Sequence, residues 1–165
     1  MTLLGRTPSI TVSLSENSPN FELVRNVLAK TLLKINFNAD DGLNFWNDFC
    51  VYAACSLFAA ISNKSIGSIA KDNALRTEVL GLLHEIISLA PDIIRLNAEK
   101  LISSLYATPA EYVYPMADAL KNKKPCDINF IAAVVRQQAE LKNINPVLTA
   151  AAIKEVYRRL LTFVE

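Results

Sequence analysis

The stretch "FWNDFCVYAACSLFAAI", residues 45–61, constrains the fold more than any other part of the chain. From Phe49 to Ile61 it runs for 13 residues without a charge, between Asp48 on one side and Asn63 and Lys64 on the other. A membrane span needs about 20 apolar residues, so the run fits a helix buried among other helices. A helix that is apolar all round must be wrapped by neighbours, and 165 residues are enough to build that wrapping.

The rest of the composition narrows the function by exclusion. Hydrophobic residues make up 52% of the chain and charged ones 20%, a surplus that implies either a large core or an apolar surface that meets a partner. The net charge of +1 offers no basic face to nucleic acid. Lys121, Lys123 and Lys124 read as a solvated helix end, where cations suit the dipole. Cys50, Cys55 and Cys126 form no CxxC pair and read as small core residues in a reducing cytosol, so a cytoplasmic location is expected. The opening "MTLLGRTPSITVS" lacks the charged start and long apolar run of a secretory signal. The four glycines form neither GxGxxG nor a P-loop. His84 is the single histidine, cannot build a zinc site alone, and reads as a satisfied, partly buried side chain. No serine sits in a nucleophile elbow. Metal, membrane and nucleic acid are all unexpected as partners.

Periodicity supplies the elements. "ITVSL", residues 10–14, alternates as a strand; a helix starts at Ser18-Pro19 with Phe21, Val24, Leu28 and Leu32 on one face; "LKINF", 33–37, reads as a second strand. Helices follow over 41–62, 65–71, 73–89, 92–106 capped by Asp92, 109–122 opened by Pro109, a segment capped by Asp127 with Ile128, Ile131, Val134 and Val135 inward, and a last one opened by Pro146. Trp46 reads as a core anchor. These elements divide the chain into residues 1–40, strand–helix–strand, and 41–165, a helical bundle.

Three segments taken in order resemble the C-terminal helical domain of ketopantoate reductase (2-dehydropantoate 2-reductase): "DGLNFWNDFCVYAACSLFAAI", "IGSIAKDNALRTEVLGLLHEIISLA" and "YPMADALKNKKPCDINFIAAVVRQQAELKNINPVLTAAAIKEVYRRL". In the second, Gly67, Arg76, Glu85 and Ala90 fill the places of a family pattern. "SPNFELVRNVLAKTLLKINFN" is similar to the stretch that closes the family's nucleotide-binding half. The resemblance implies a mainly α fold, a helical bundle like the C-terminal part of 6-phosphogluconate dehydrogenase, preceded by a strand–helix–strand remnant. It also implies NADPH-dependent reduction of a 2-keto acid in pantothenate biosynthesis. A lysine of the helical half polarises the keto oxygen, and asparagine, serine and glutamate contact the substrate.

Against that pattern the chemistry-bearing positions differ. The family lysine, two residues after tryptophan, falls on Asp48, and the asparagines farther along that helix fall on Tyr52 and Ser56. The serine before methionine falls on Pro115, and the glutamate on Asp127. The acid two residues later falls on Asn129, and the asparagine–glycine pair on Ala132-Ala133. An acid facing a developing oxyanion repels it. The resemblance therefore implies no catalytic residue and no cofactor here, with NADP bound only if a separate nucleotide-binding half is supplied. Such a domain leaves an apolar face and a sheet edge uncovered, so a homodimer or a protein partner is expected. One piece of a split or truncated reductase is an alternative. A small-molecule module with a degraded keto-acid pocket at Asp48, Ser56 and Asp127 is another.

Overall fold

A computed structural model describes residues 9–14, 16–31, 33–38, 42–103, 105, 109 and 111–162. Leu32, and residues 41 and 106 at the bounds of two expected helices, lie outside the described residues, as does the junction between residues 40 and 41. The chain divides into two compact units, Met1–Phe45 and Trp46–Glu165.

In the first unit, strand β1 (Ser9–Ser13), helix α1 (Phe21–Leu28) and strand β2 (Lys34–Asn38) form a strand–helix–strand crossover. The strands pair in parallel, from Ser9 opposite Lys34 to Ser13 opposite Asn38. Phe21 is buried and its ring lies 4.9 Å from that of Phe37, so α1 is fixed to the sheet by an aromatic contact. α1 is shorter than its apolar spacing suggests. Thr31 folds back, its hydroxyl donating to the Leu28 carbonyl at 2.7 Å, and the chain turns into β2. Leu23 and Val27, one turn apart on α1, are 66% and 59% exposed.

The second unit is helical. α2 (Leu43–Ser62) begins just before it, after Gly42, whose φ of 98° a side chain would resist. By length and composition α2 could cross a bilayer, since Phe45–Ser62 averages a hydropathy of 1.2. The structure instead places it at the centre of the core, with Cys50, Ala53, Ala54 and Leu57 at 0% exposure. Trp46 is buried at its start, edge-on to Phe49 with ring centres 5.5 Å apart. Asn63, in the left-handed region at φ 56°, ends the helix.

Around α2 stand α3 (Ile66–Lys71), α4 (Asn73–Leu89), α5 (Ala98–Ser103), α6 (Pro115–Lys121), α7 (Ile128–Lys142) and α8 (Val147–Leu161). α4 is capped by Asp72, whose carboxylate accepts from the Ala74 and Leu75 amides at 2.8 and 3.2 Å. Its buried face is Val79, Leu82, Leu83, Ile86 and Leu89. His84 lies on the opposite side and is exposed, not partly buried as its neighbours in sequence suggest.

Two helices depart from the sequence reading. The expected helix over 92–106 is confined in its regular part to Ala98–Ser103, because Asn97 rather than Asp92 caps it: the Lys100 amide donates to Asn97 Oδ1 at 2.9 Å. Asp92 is drawn instead to Lys142, 2.7 Å away. The helix expected to start at Pro109 starts at Pro115. A proline at that point cannot continue a helix already begun, and it holds Tyr114 extended at φ −64°, ψ 141°.

Polar ties bind the helices at their ends. Arg76 of α4 meets Glu99 of α5 at 2.6 Å. Lys142 of α7 also donates to the Ala90 carbonyl at 2.7 Å, and Arg159 of α8 to the Ala60 carbonyl of α2 at 2.8 Å. Glu85 of α4 caps a different helix: its carboxylate accepts from the Leu148 and Thr149 amides of α8 at 3.0 and 2.6 Å. Anions are favourable at that helix end and the amides otherwise lack partners. Glu85→Ala should lower stability by about 1–2 kcal/mol in urea denaturation, the usual loss for a removed cap. An unchanged midpoint would show that α8 does not depend on this carboxylate.

Candidate functional site

One face of α2 carries Asp48, Tyr52 and Ser56 at successive helical turns. The start of α7 and the segment leading into α6 meet this row. Pro115 fixes the entry to α6, which buries Tyr114 beside α2, and the turn Pro125–Asp127 delivers Asp127 to the first turn of α7.

The Tyr52 hydroxyl donates a hydrogen bond to the Asp127 carboxylate. Burial, together with this carboxylate, pushes the Tyr52 phenol up to about 12. Tyr52 is therefore a protonated donor near neutral pH, with an Asp127 carboxylate oxygen as its acceptor. Tyr114 tilts against Tyr52 with ring centres 6.3 Å apart, and Tyr112 stands edge-on to Tyr114 at 5.6 Å. Burial and the adjacent Cys55 thiol raise the Tyr114 phenol above the ordinary tyrosine range. Burial likewise pushes the Cys55 thiol up to about 11 and Cys50 to about 12, so both are inert thiols in the core.

Asp127 stands at the N-cap position, but its side chain makes no capping bond. Its φ of −84° and ψ of 18° are close to helical rather than extended, so the carboxylate is not aimed at its own first-turn amides. It is spent across the bundle on Tyr52, which corrects the reading of Asp127 as a simple cap. Ser56 is fully buried, and its Oγ has no hydrogen-bond partner among the described residues. Asp48 is exposed, one turn before Tyr52; partial desolvation of its carboxyl raises its pKa. Neither Asp48 nor Asp127 forms an ion pair with a described residue.

Tyr52, Ser56 and Asp127 thus converge, with Asp48 at the open end of the row. The contribution of Tyr52, Tyr112 and Tyr114 was missed from sequence; the i, i+4 spacing of Asp48 and Tyr52 was the available signal. Asn129 belongs elsewhere, accepting from the Tyr157 hydroxyl of α8 at 2.7 Å. Chemically the site is rich in acceptors and phenols and carries two carboxylates. Its carboxylate oxygens are suited to receive hydrogen bonds or a cation. Among the described residues, no three His, Cys, Asp or Glu side chains are grouped to hold a metal.

No protein-family profile matches the sequence, and no curated protein does. Solved structures do match. A dimeric ketopantoate reductase from Staphylococcus aureus superposes with a TM-score of 0.81 at 11% identity, over 95% of this chain and 55% of that one. A PanE/ApbA family ketopantoate reductase from Ralstonia eutropha JMP134 gives 0.77 at 10% identity, over 98% and 54%. The fold is that of the ketopantoate reductase C-terminal helical domain. D-mandelate dehydrogenase, solved with NADH and anilino(oxo)acetate, also matches at 0.77 and 13% identity, over 91% and 66%. The chain spans about half the length of the ketopantoate reductases it resembles. At such identities the ketopantoate reductase likeness lies in the helix arrangement, not in shared side chains.

Replacing Asp127 by Asn should remove the carboxylate that helps hold the Tyr52 phenol near about 12 and lower its pKa towards the usual tyrosine value. Tyrosine carbon NMR through an alkaline titration reads this directly, and an unmoved Tyr52 would contradict the bond. The sign for stability follows: a phenol raised on folding contributes fully below its unfolded pKa of about 10, and that contribution is lost as pH climbs through about 12.

Proposed function

We propose that this chain is a ketopantoate reductase-like helical domain that performs no hydride transfer by itself and acts by association, with a second copy or with another protein. The Tyr52–Asp127 bond is the observation that carries this reading. Hydride delivery to a keto carbon builds negative charge on oxygen, which needs a fixed cation or proton donor. Here the Tyr52 proton is committed to a carboxylate, and Asp48, at the place that the resemblance gives to the lysine, adds a second acid. The association half of the reading draws on the first unit. A two-stranded parallel sheet is rarely stable with open edges, and α1 exposes Leu23 and Val27 side by side. The free thiols Cys50, Cys55 and Cys126 suit the reducing cytosol as its place of work.

A second reading is favoured by coverage: the chain matches 55% of the S. aureus reductase, as one piece of a split or truncated NADPH-dependent reductase would. Two measurements separate the readings. Sedimentation at micromolar protein should show a dimer or larger species that Leu23→Lys and Val27→Lys weaken; a clean monomer that binds no apolar dye contradicts association. NADPH oxidation with ketopantoate should stay at background when a separate nucleotide-binding half is added. Activity restored by that half would establish the split-reductase reading instead.

A further inference from the structure

Away from the Tyr52 site, α7 and α8 enclose a groove of about 860 Å³, within the range of small-molecule pockets. Its floor is apolar, with buried Val135 and half-buried Ile144 and Ile153. Its rim carries Asn129 and Arg136 from α7 and Lys154 from α8. Arg136 and Lys154 form no ion pair with any described residue, whereas the neighbouring Arg158 and Arg159 are both engaged by Glu155. Glu140, one turn after Arg136, does not pair with it; acid after base is the weaker order for such pairs on a helix. The Tyr157 hydroxyl donates to Asn129 Oδ1, which fixes the amide and leaves its NH2 group without a partner among the described residues.

We propose that this groove binds a small carboxylic acid with an apolar chain. The carboxylate is received by Arg136 and Lys154, with the Asn129 amide as a further donor, and the chain lies along Val135, Ile144 and Ile153. Two cations and one acid, Glu140, leave a single net positive charge on the rim, which matches a monoanion better than a phosphate dianion. The apolar floor selects against small inorganic anions, which have nothing to place there. The inference does not rest on the reading of the Tyr52 site.

The test is an NMR titration of the full, isotope-labelled chain with octanoate, octylamine and inorganic phosphate, on the wild type and on the double variant Arg136→Gln, Lys154→Gln. Octanoate should shift the Val135, Ile144 and Ile153 resonances saturably. The double variant, both positions being exposed, should keep the wild-type urea midpoint and bind octanoate at least about tenfold more weakly. Octylamine and phosphate should bind more weakly than octanoate. Equal binding of octylamine, an unchanged octanoate affinity in the double variant, or no saturable shift in the millimolar range would overturn the proposal. So would a concentration-dependent dimer that occupies these residues and leaves octanoate without effect.

Discussion

A helix of 20 residues with apolar side chains on nearly every side has to stand in the middle of its neighbours. The architecture of the second unit follows from that burial. Small residues, Ala53, Ala54, Ala59 and Ala60, let the surrounding helices come close to α2, and Phe49, Leu57 and Phe58 fill the layers between them. The ties at the helix ends then fix orientation. Arg159 reaches the α2 backbone at Ala60, Glu85 caps α8 from α4, and Lys142 holds the end of α7 to the turn after α4. None is a large term alone, but each satisfies a backbone group that a buried helix end leaves open.

The same burial decides the chemistry. Asp48, Tyr52 and Ser56 form a polar row on α2, and turning its middle member inward requires a partner for the phenol. Asp127 supplies it. A half-buried phenol that donates to a carboxylate oxygen is a satisfied pairing near neutral pH, because the phenol keeps its proton. That arrangement stabilises the junction of α2 with the start of α7. It also ties the Tyr52 hydroxyl and the Asp127 carboxylate to each other. The aromatic packing of Tyr114 and Tyr112 against Tyr52 occupies the adjoining space with rings.

Much of the fold was legible from periodicity and caps. The limits of α4 and the strand–helix–strand order come directly from residue spacing, whereas the Asp72 cap and the parallel pairing emerge only in the structure. The misread segments share one cause: a local signal was outcompeted by a contact distant in sequence. Asp92 is a good capping residue, but Lys142 pairs with it and Asn97 caps in its place. Asp127 is likewise claimed by Tyr52, 75 positions away in sequence. Pro115 was the exception, a local signal passed over in favour of Pro109. The candidate residues Asp48, Ser56 and Asp127 could be named from the resemblance, but their grouping around Tyr52 needed the helix packing.

A double-mutant cycle on Tyr52→Phe and Asp127→Asn measures most directly whether this bond ties α2 to α7. Urea denaturation of the wild type, both single variants and the double variant should give a coupling energy of at least about 1 kcal/mol favouring the native pair. Losses that simply add, to within about 0.3 kcal/mol, would contradict it and leave Tyr52 free to serve another role.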